Sequence, residues 1–423
     1  MGHLAGVVRS LREDASLTQE ELAAETGLSV RTISDIERGL RRRLYRDTAE
    51  RLGAALGLAG EALAEFVDLG RGRTEDLRRD LDAEFRRRFV GWYVDRVAAL
   101  ADHIGREEEW YAVLDADRAN LTVALGWAAD AGDAESLLRL GAGLFRYWQA
   151  RGDLAFGRGW LQRGLDVEPQ AGAPTRMNAL WGLAWLAHQQ GDDACTATCA
   201  DLLGHLARAE GSGSALRNAA TLHGIVALAS EDVGAALEQF GIALGIARGL
   251  EQPWLLATSL LNLGIAQIAD GDLDAARSTL GDALREYDEL GDERFRARTV
   301  GYFGLVALVE EDPARAEALY LQSLTVFEEL DEGKGIAEAL TGLATAAAQR
   351  GSAARAAVLG GAAERVRESF AGRALPVERR RADQALALAR ATVDAEAWRA
   401  EWTRGRALRL DEAITEALDV REA

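Results

Sequence analysis

Residues 18–39 read TQEELAAETGLSVRTISDIERG, and their spacing predicts two short helices joined by a sharp turn. Thr18 and Glu21 have the Thr-x-x-Glu spacing of a capping box, which starts a helix by satisfying two otherwise unpaired backbone N–H groups. Leu22 and Ala23 face inward, and alanine is small enough to let a second helix cross nearby. Gly27 stands where the chain turns back through a left-handed backbone. Ser29 then caps a second helix whose buried side is Ile33 and Ile36. Leu4, Val7, Val8 and Leu11 supply a preceding helix, and Ala49, Leu52, Leu56, Leu63 and Phe66 two following ones. Five short helices thus enclose one small core over residues 1–69.

With Ile33 and Ile36 inside, the second helix presents Arg31, Ser34, Asp35 and Arg38 outward. The window 31–46 holds six arginines against Asp35 and Glu37, a local charge of +4. The chain as a whole runs the other way, with 68 acidic against 49 basic residues and a net charge of −19 over 423 residues. That excludes a generally basic nucleic-acid coat and leaves room for a small basic patch. Arg41, Arg42, Arg43 and Arg46 follow the second helix, where they are placed to neutralise backbone phosphates.

The spacing of Leu22, Ala23, Gly27, Leu28, Ile33 and Ile36, with Gln19 at the first helix start and Glu37-Arg38-Gly39 at the close, resembles the Cro and phage-repressor (XRE) type of helix-turn-helix. The resemblance implies that the N-terminal part of the second helix lies in the DNA major groove. Arg31 then has the two-pronged donor geometry for guanine O6 and N7. Ser29, Val30 and Thr32 are within reach of bases or a thymine methyl, and Gln19 would hold a phosphate from the first helix. A homodimer on two half-sites about one helical turn apart is the matching assembly.

Residues 70–80 (GRGRTEDLRRD) are charged and nearly free of apolar side chains, and read as a connector. From Leu77 to Ile104 apolar residues recur mostly at steps of three and four, predicting a long helix into a third region. That region, part of 81–423, is an internal repeat. Turn-like pairs fall at Gly152-Asp153, Gly191-Asp192, Glu231-Asp232, Gly271-Asp272, Glu311-Asp312 and Gly351-Ser352, spaced 39 and then 40 apart. Small residues precede them in phase (Ala184, Gly224, Gly264, Gly304, Ala344) and follow them in phase (Thr196, Ala236, Ala276, Ala316, Ala356). Such a unit is a helical hairpin that buries its apolar face only by stacking on its neighbours, so the fold class is all-α with an α-solenoid.

The small residues and the bulky Phe240, Leu280 and Tyr320 resemble the tetratricopeptide repeat, although the period exceeds the usual 34 and the closing proline is missing. Asp115-x-Asp117-Arg118-Ala119-Asn120-Leu121, Ala124-Leu125-x-Trp127, Tyr147-Trp148, Leu359-Gly360-Gly361 and the stretch WTRGRALRLD at 402–411 resemble the sensor part of bacterial signal-transducing ATPases (the STAND class). The nucleotide-binding core of that class is absent. Lys334 is the single lysine and lies in Glu-Gly-Lys-Gly, not in a phosphate-binding loop.

A tetratricopeptide arrangement puts the first helix of each hairpin on a groove. With the small residue as phase marker, the groove positions include Asn178, Trp181, Trp185 and His188, then Asn218 and Thr221, then Thr258, Leu261 and Ile265, and finally Arg298. An apolar floor with a polar edge suits a small molecule, a peptide or a partner helix.

Cys195 and Cys199 are too few for a disulfide framework and read as small buried hydrophobes of a reducing, cytoplasmic compartment. The N-terminus has no apolar run long enough for a signal peptide, and no stretch reaches 18 uninterrupted apolar residues. No His-Glu-x-x-His or Gly-x-Ser-x-Gly spacing occurs. The sequence therefore predicts a DNA-binding transcription regulator without enzymatic activity, cofactor or metal, its solenoid receiving a ligand or partner or mediating dimerisation. Two alternatives differ from it: a peptide-pheromone receptor of the same build, and an interaction scaffold that no longer binds DNA.

Overall fold

A computed structural model describes residues 3–41, 44–71, 76–99, 107–167, 170–369 and 374–419. Among these the regular structure is entirely helical. The chain divides into two compact units, Met1–Tyr93 and Val94–Ala423. Of the charged stretch 70–80, residues 70–71 close one helix and 76–80 open the next, while 72–75 lie outside the described residues.

The first unit begins with α1 (His3–Asp14), α2 (Gln19–Thr26), α3 (Val30–Glu37), α4 (Arg46–Ala55) and α5 (Gly60–Arg71). The boundaries of α2 and the start of α3 have local causes. Thr18 and Glu21 form the reciprocal capping box, with the Glu21 N–H donating to Thr18 Oγ1 at 3.1 Å and the Thr18 N–H to Glu21 Oε2 at 2.7 Å. Gly27 ends α2 at φ 66°, the left-handed conformation that glycine adopts without steric cost. Ser29 caps α3, its Oγ accepting from the Thr32 N–H at 3.1 Å. Leu4, Val8, Leu22, Ala23, Ile33, Ile36, Ala49, Leu52 and Phe66 form one buried cluster, with Leu11 and Leu63 packed at its edge. The helix α6 (Asp76–Ala98) follows, and the boundary between units falls within it.

The second unit continues with α7 (Glu107–Ala116) and α8 (Arg118–Asp130), then a series of hairpins. These are α9 (Ala134–Ala150) with α10 (Leu154–Leu165), α11 (Ala173–Gln189) with α12 (Asp193–Glu210), and α13 (Gly213–Ala229) with α14 (Val233–Ala247). Next come α15 (Pro253–Asp270) with α16 (Leu273–Leu290), α17 (Glu293–Val309) with α18 (Pro313–Glu329), and α19 (Gly333–Gln349) with α20 (Ala353–Ser369). Three more helices, α21 (Pro376–Ala391), α22 (Ala395–Ala407) and α23 (Leu410–Leu418), end the series.

The 40-residue period is written in the turns. Gly152, Gly191, Glu231, Gly271, Glu311 and Gly351 all have positive φ, between 60° and 88°. At four of these turns the aspartate that follows caps the second helix of the hairpin. Asp192 accepts from the Cys195 N–H, Asp232 from Ala235 and Asp272 from Ala275, each at 3.0 Å, and Asp312 from Arg315 at 3.1 Å. The in-phase small residues mark where the helices of a hairpin touch. A Cβ on Gly224 would lie 2.5 Å from Phe240, on Gly264 2.7 Å from Leu280, and on Gly304 2.8 Å from Tyr320. Ala236, Ala276, Ala316 and Ala356 have no exposed surface. The closest approach joins α20 and α22, where a Cβ on Gly405 would stand 2.0 Å from the Val358 carbonyl oxygen.

Helix α21 leaves the hairpin series and runs back along the first helices. Arg380 pairs with Glu231 at 2.7 Å, and Arg381 donates to the Val309 carbonyl at 3.1 Å. Leu375 and Val377 pack on the core shared by α13 to α17. No described helix is long and apolar enough to cross a membrane.

Candidate functional site

Two features of the chain invite chemistry, one in each unit. In the first unit, α3 turns Ile33 and Ile36 fully inward. That orientation leaves Ser29, Val30, Arg31 and Arg38 exposed, with Thr32, Ser34 and Asp35 half-exposed beside them. Ser29 Oγ and Thr32 Oγ1 share a hydrogen bond of 2.9 Å. Arg38 pairs with Asp35 at 2.9 Å, so its charge is partly spent within the helix. Arg46 likewise pairs with Glu50 at 2.8 Å. Arg31 and Arg41 have no ion-pair partner among the described residues, and both are exposed. Arg42 and Arg43 lie outside the described residues.

The face is held from behind by a polar triad. Glu37, at the end of α3, is 8% exposed. It accepts from Arg12 Nε at 2.6 Å and from Gln19 Nε2 at 2.7 Å. Arg12 also donates to the Leu17 carbonyl at 2.7 Å. Gln19 therefore spends an amide N–H inside the domain, tying the start of α2 to the end of α3. Sequence reading assigned that side chain to a phosphate and did not find its bond to Glu37. Leu40 and Tyr45, 68% and 88% exposed, flank the arginine run and also went unread.

In the second unit, the first helices of six hairpins, α9 to α19, and the start of α21 line a cavity of about 430 Å³. Of the predicted groove residues, Trp181, Trp185, His188, Thr221, Thr258, Leu261, Ile265 and Arg298 line it. Asn178 and Asn218 do not. Asn178 is exposed, and Asn218 accepts from Arg217 Nη1 at 3.1 Å. The reason is a shift of one residue in α13: Arg217, not Asn218, turns to the cavity, and it is 2% exposed. Trp181 and Trp185 are half-buried and edge-to-face at 5.6 Å, walls of the cavity rather than members of the closed core.

Sequence reading missed Arg146, Trp254, Phe295, Glu338 and Glu378 in the lining. Trp254 and Phe295 continue the aromatic wall at 5.7 Å. At one end, Arg298 meets Glu332 at 3.3 Å and Glu338 at 3.5 Å, and Lys334 meets Glu338 at 3.7 Å. Glu378, brought in by α21, faces this cluster. Enclosure by protein and the nearby Glu338 hold its carboxyl well above the ordinary carboxylate range. It keeps some accessible surface because that surface opens onto the cavity.

Cys199 is buried and its thiol is pushed up to about 12, burial being the main cause, while Cys195 is half-buried. Among the described residues no group of three or more His, Cys, Asp or Glu side chains is arranged to hold a metal ion.

Residues 3–66 match the family model of a helix-turn-helix domain. No curated protein matches the chain. Among solved structures, a Rap protein complexed with competence and sporulation factor is similar at 12% identity, covering 97% of this chain and 99% of that one with a TM-score of 0.50. A signal transduction ATPase with a tetratricopeptide repeat sensor from Pyrococcus horikoshii is similar at 12% identity, over 92% of this chain and 56% of that one, with a TM-score of 0.47. PlcR of Bacillus thuringiensis, solved with the peptide PapR7 and DNA, gives 12% identity over 78% of this chain and 96% of that one, with a TM-score of 0.37. The N-terminal unit thus contains a helix-turn-helix domain, and the body of the chain has the fold of tetratricopeptide-like helical repeats.

Proposed function

We propose that the chain is a DNA-binding transcription regulator, in which α3 reads the major groove and the cavity of the repeat unit receives the signal. The observation that carries this reading is the outer face of α3. It presents Ser29, Val30, Arg31 and Thr32 over a fully buried Ile33 and Ile36, in a helix-turn-helix domain. Arg31 is the base-reading side chain of the proposal, because an exposed guanidinium without an internal partner is free to pair bidentately with guanine. Arg41, Arg42, Arg43 and Arg46 contact phosphates, and Asp35 positions Arg38 beside them. Their local positive charge stands out in a chain of net charge −19.

The regulator acts in the cytoplasm as a homodimer on two half-sites, since a single α3 covers too few base pairs for a specific site. It performs no catalysis and uses no nucleotide; ATP leaves its DNA affinity unchanged. The ligand enters between Trp181, Trp185, Leu261 and Ile265. The test is a gel-shift with DNA from upstream of the protein's own gene. A discrete complex that resists competitor DNA and weakens with Arg31→Ala supports the proposal. Equal loss on specific and random DNA for that variant would remove Arg31 from its role.

A further inference from the structure

The charges around the cavity are unevenly settled. At the α19 end, Arg298 and Lys334 are matched by Glu332 and Glu338 at 3.3–3.7 Å. With Glu378 holding its proton, that cluster is neutral. The α13–α15 end is different. Arg217 is 2% exposed, and its partners are all uncharged: Ser259 Oγ at 2.9 Å, Asn218 Oδ1 at 3.1 Å, Thr258 Oγ1 and the Leu255 carbonyl. No carboxylate among the described residues pairs with it. Asp292 reaches α15 through Trp254 and not through Arg217: its oxygens accept from the Phe295 N–H at 3.1 Å and from Trp254 Nε1 at 3.3 Å. Desolvation by the surrounding protein lowers the Arg217 guanidinium to about 10. A second cation lines the same cavity. Arg146 lies 5.7 Å from the centre of the Trp254 ring and has no ion-pair partner among the described residues.

A buried guanidinium without a counter-charge is costly, and an anion brought to it recovers much of that cost. Between the two ends run the aromatic and aliphatic walls, over a volume that suits a molecule of drug size. Building on the reading of the cavity as a receptor site, we infer that its ligand is a small amphiphilic anion. It has an apolar, ring-bearing body against Trp185, Leu261 and Ile265, and one carboxylate, sulfonate or phosphate on Arg217 and Arg146.

Two dyes that share a body and differ in charge test this on the full chain. 8-Anilinonaphthalene-1-sulfonate carries one anionic group, and N-phenyl-1-naphthylamine carries none. The sulfonate is expected to bind roughly ten- to a hundredfold more tightly, the range of a charge-assisted hydrogen bond. Arg217→Met removes that advantage and leaves the neutral dye within about twofold of the native Kd. Arg146→Met alters an exposed side chain, so the fold survives it, and it weakens the sulfonate by about threefold. Equal binding of both dyes, or parallel losses of both in Arg146→Met, would overturn the anion while leaving the cavity a receptor. Failure of both dyes to bind would overturn the receptor reading itself.

Discussion

The triad behind α3 gives the sharpest quantitative expectation for the DNA-binding unit. Glu37 is 4% exposed at its side chain and Arg12 12%, and their bond measures 2.6 Å. Removing one partner of a buried ion pair costs about 3–5 kcal/mol, because the other charge stays behind. Glu37→Ala belongs at the low end, since Arg12 keeps the Leu17 carbonyl at 2.7 Å and Glu13 at 3.4 Å. Gln19 loses its acceptor as well, which works in the opposite direction. A loss of about 3 kcal/mol corresponds to a roughly hundredfold faster opening-limited exchange of the protected amides. Hydrogen exchange read peptide by peptide isolates this from the repeat unit. Residues 30–38 should exchange about a hundredfold faster in Glu37→Ala, while residues 255–268 keep their native rate. Replacing both charges, Arg12→Met with Glu37→Met, should restore much of the protection, as apolar pairs often equal buried ion pairs. A change below about threefold at residues 30–38 would refute the assignment of Glu37 as the anchor of α3.

Arg41→Ala is expected to weaken specific and random DNA alike and to lower the slope of log K against log salt by about 1, checked by titration across salt concentrations. Gly405→Ala pushes a methyl group into the Val358 carbonyl, backbone against backbone, so the thermal midpoint should fall with a loss of about 3 kcal/mol. For Glu378 the folded carboxyl titrates above its unfolded value of 4.5, so the folded chain holds a proton that the unfolded chain releases. Stability from α21 is therefore fully present at pH below about 4.5 and declines as pH rises through the folded value. Glu378→Gln should flatten that decline between pH 5 and 9 in thermal unfolding.

The parts of this molecule set by local rules were readable from its residues. A capping box, a left-handed glycine and two buried isoleucines define α2 and α3 without help from elsewhere in the chain. The repeat was legible for a related reason: each turn needs a positive φ and each hairpin a missing side chain, so Gly, Asp and Ala recur in phase. The reading of the groove reached Trp181, Trp185, Leu261 and Ile265 because they share one phase with those small residues. It failed at Asn218, where Arg217 turns into the space between α13 and α15 and hydrogen-bonds Ser259 across it. It also missed α21. The pairing of Arg380 with Glu231 spans 149 positions, and no periodicity encodes a helix returning to earlier hairpins. The Glu37 triad was hidden likewise, since Arg12, Gln19 and Glu37 come together only once three helices have packed.

The most direct test of the account is selection of sites from a pool of random duplex DNA by the full-length protein at physiological salt, followed by sequencing. The account predicts a motif of two related half-sites about one helical turn apart, with a guanine preference that disappears when the selection is repeated with Arg31→Ala. A pool that stays random after repeated rounds, or a motif unchanged by Arg31→Ala, would contradict it.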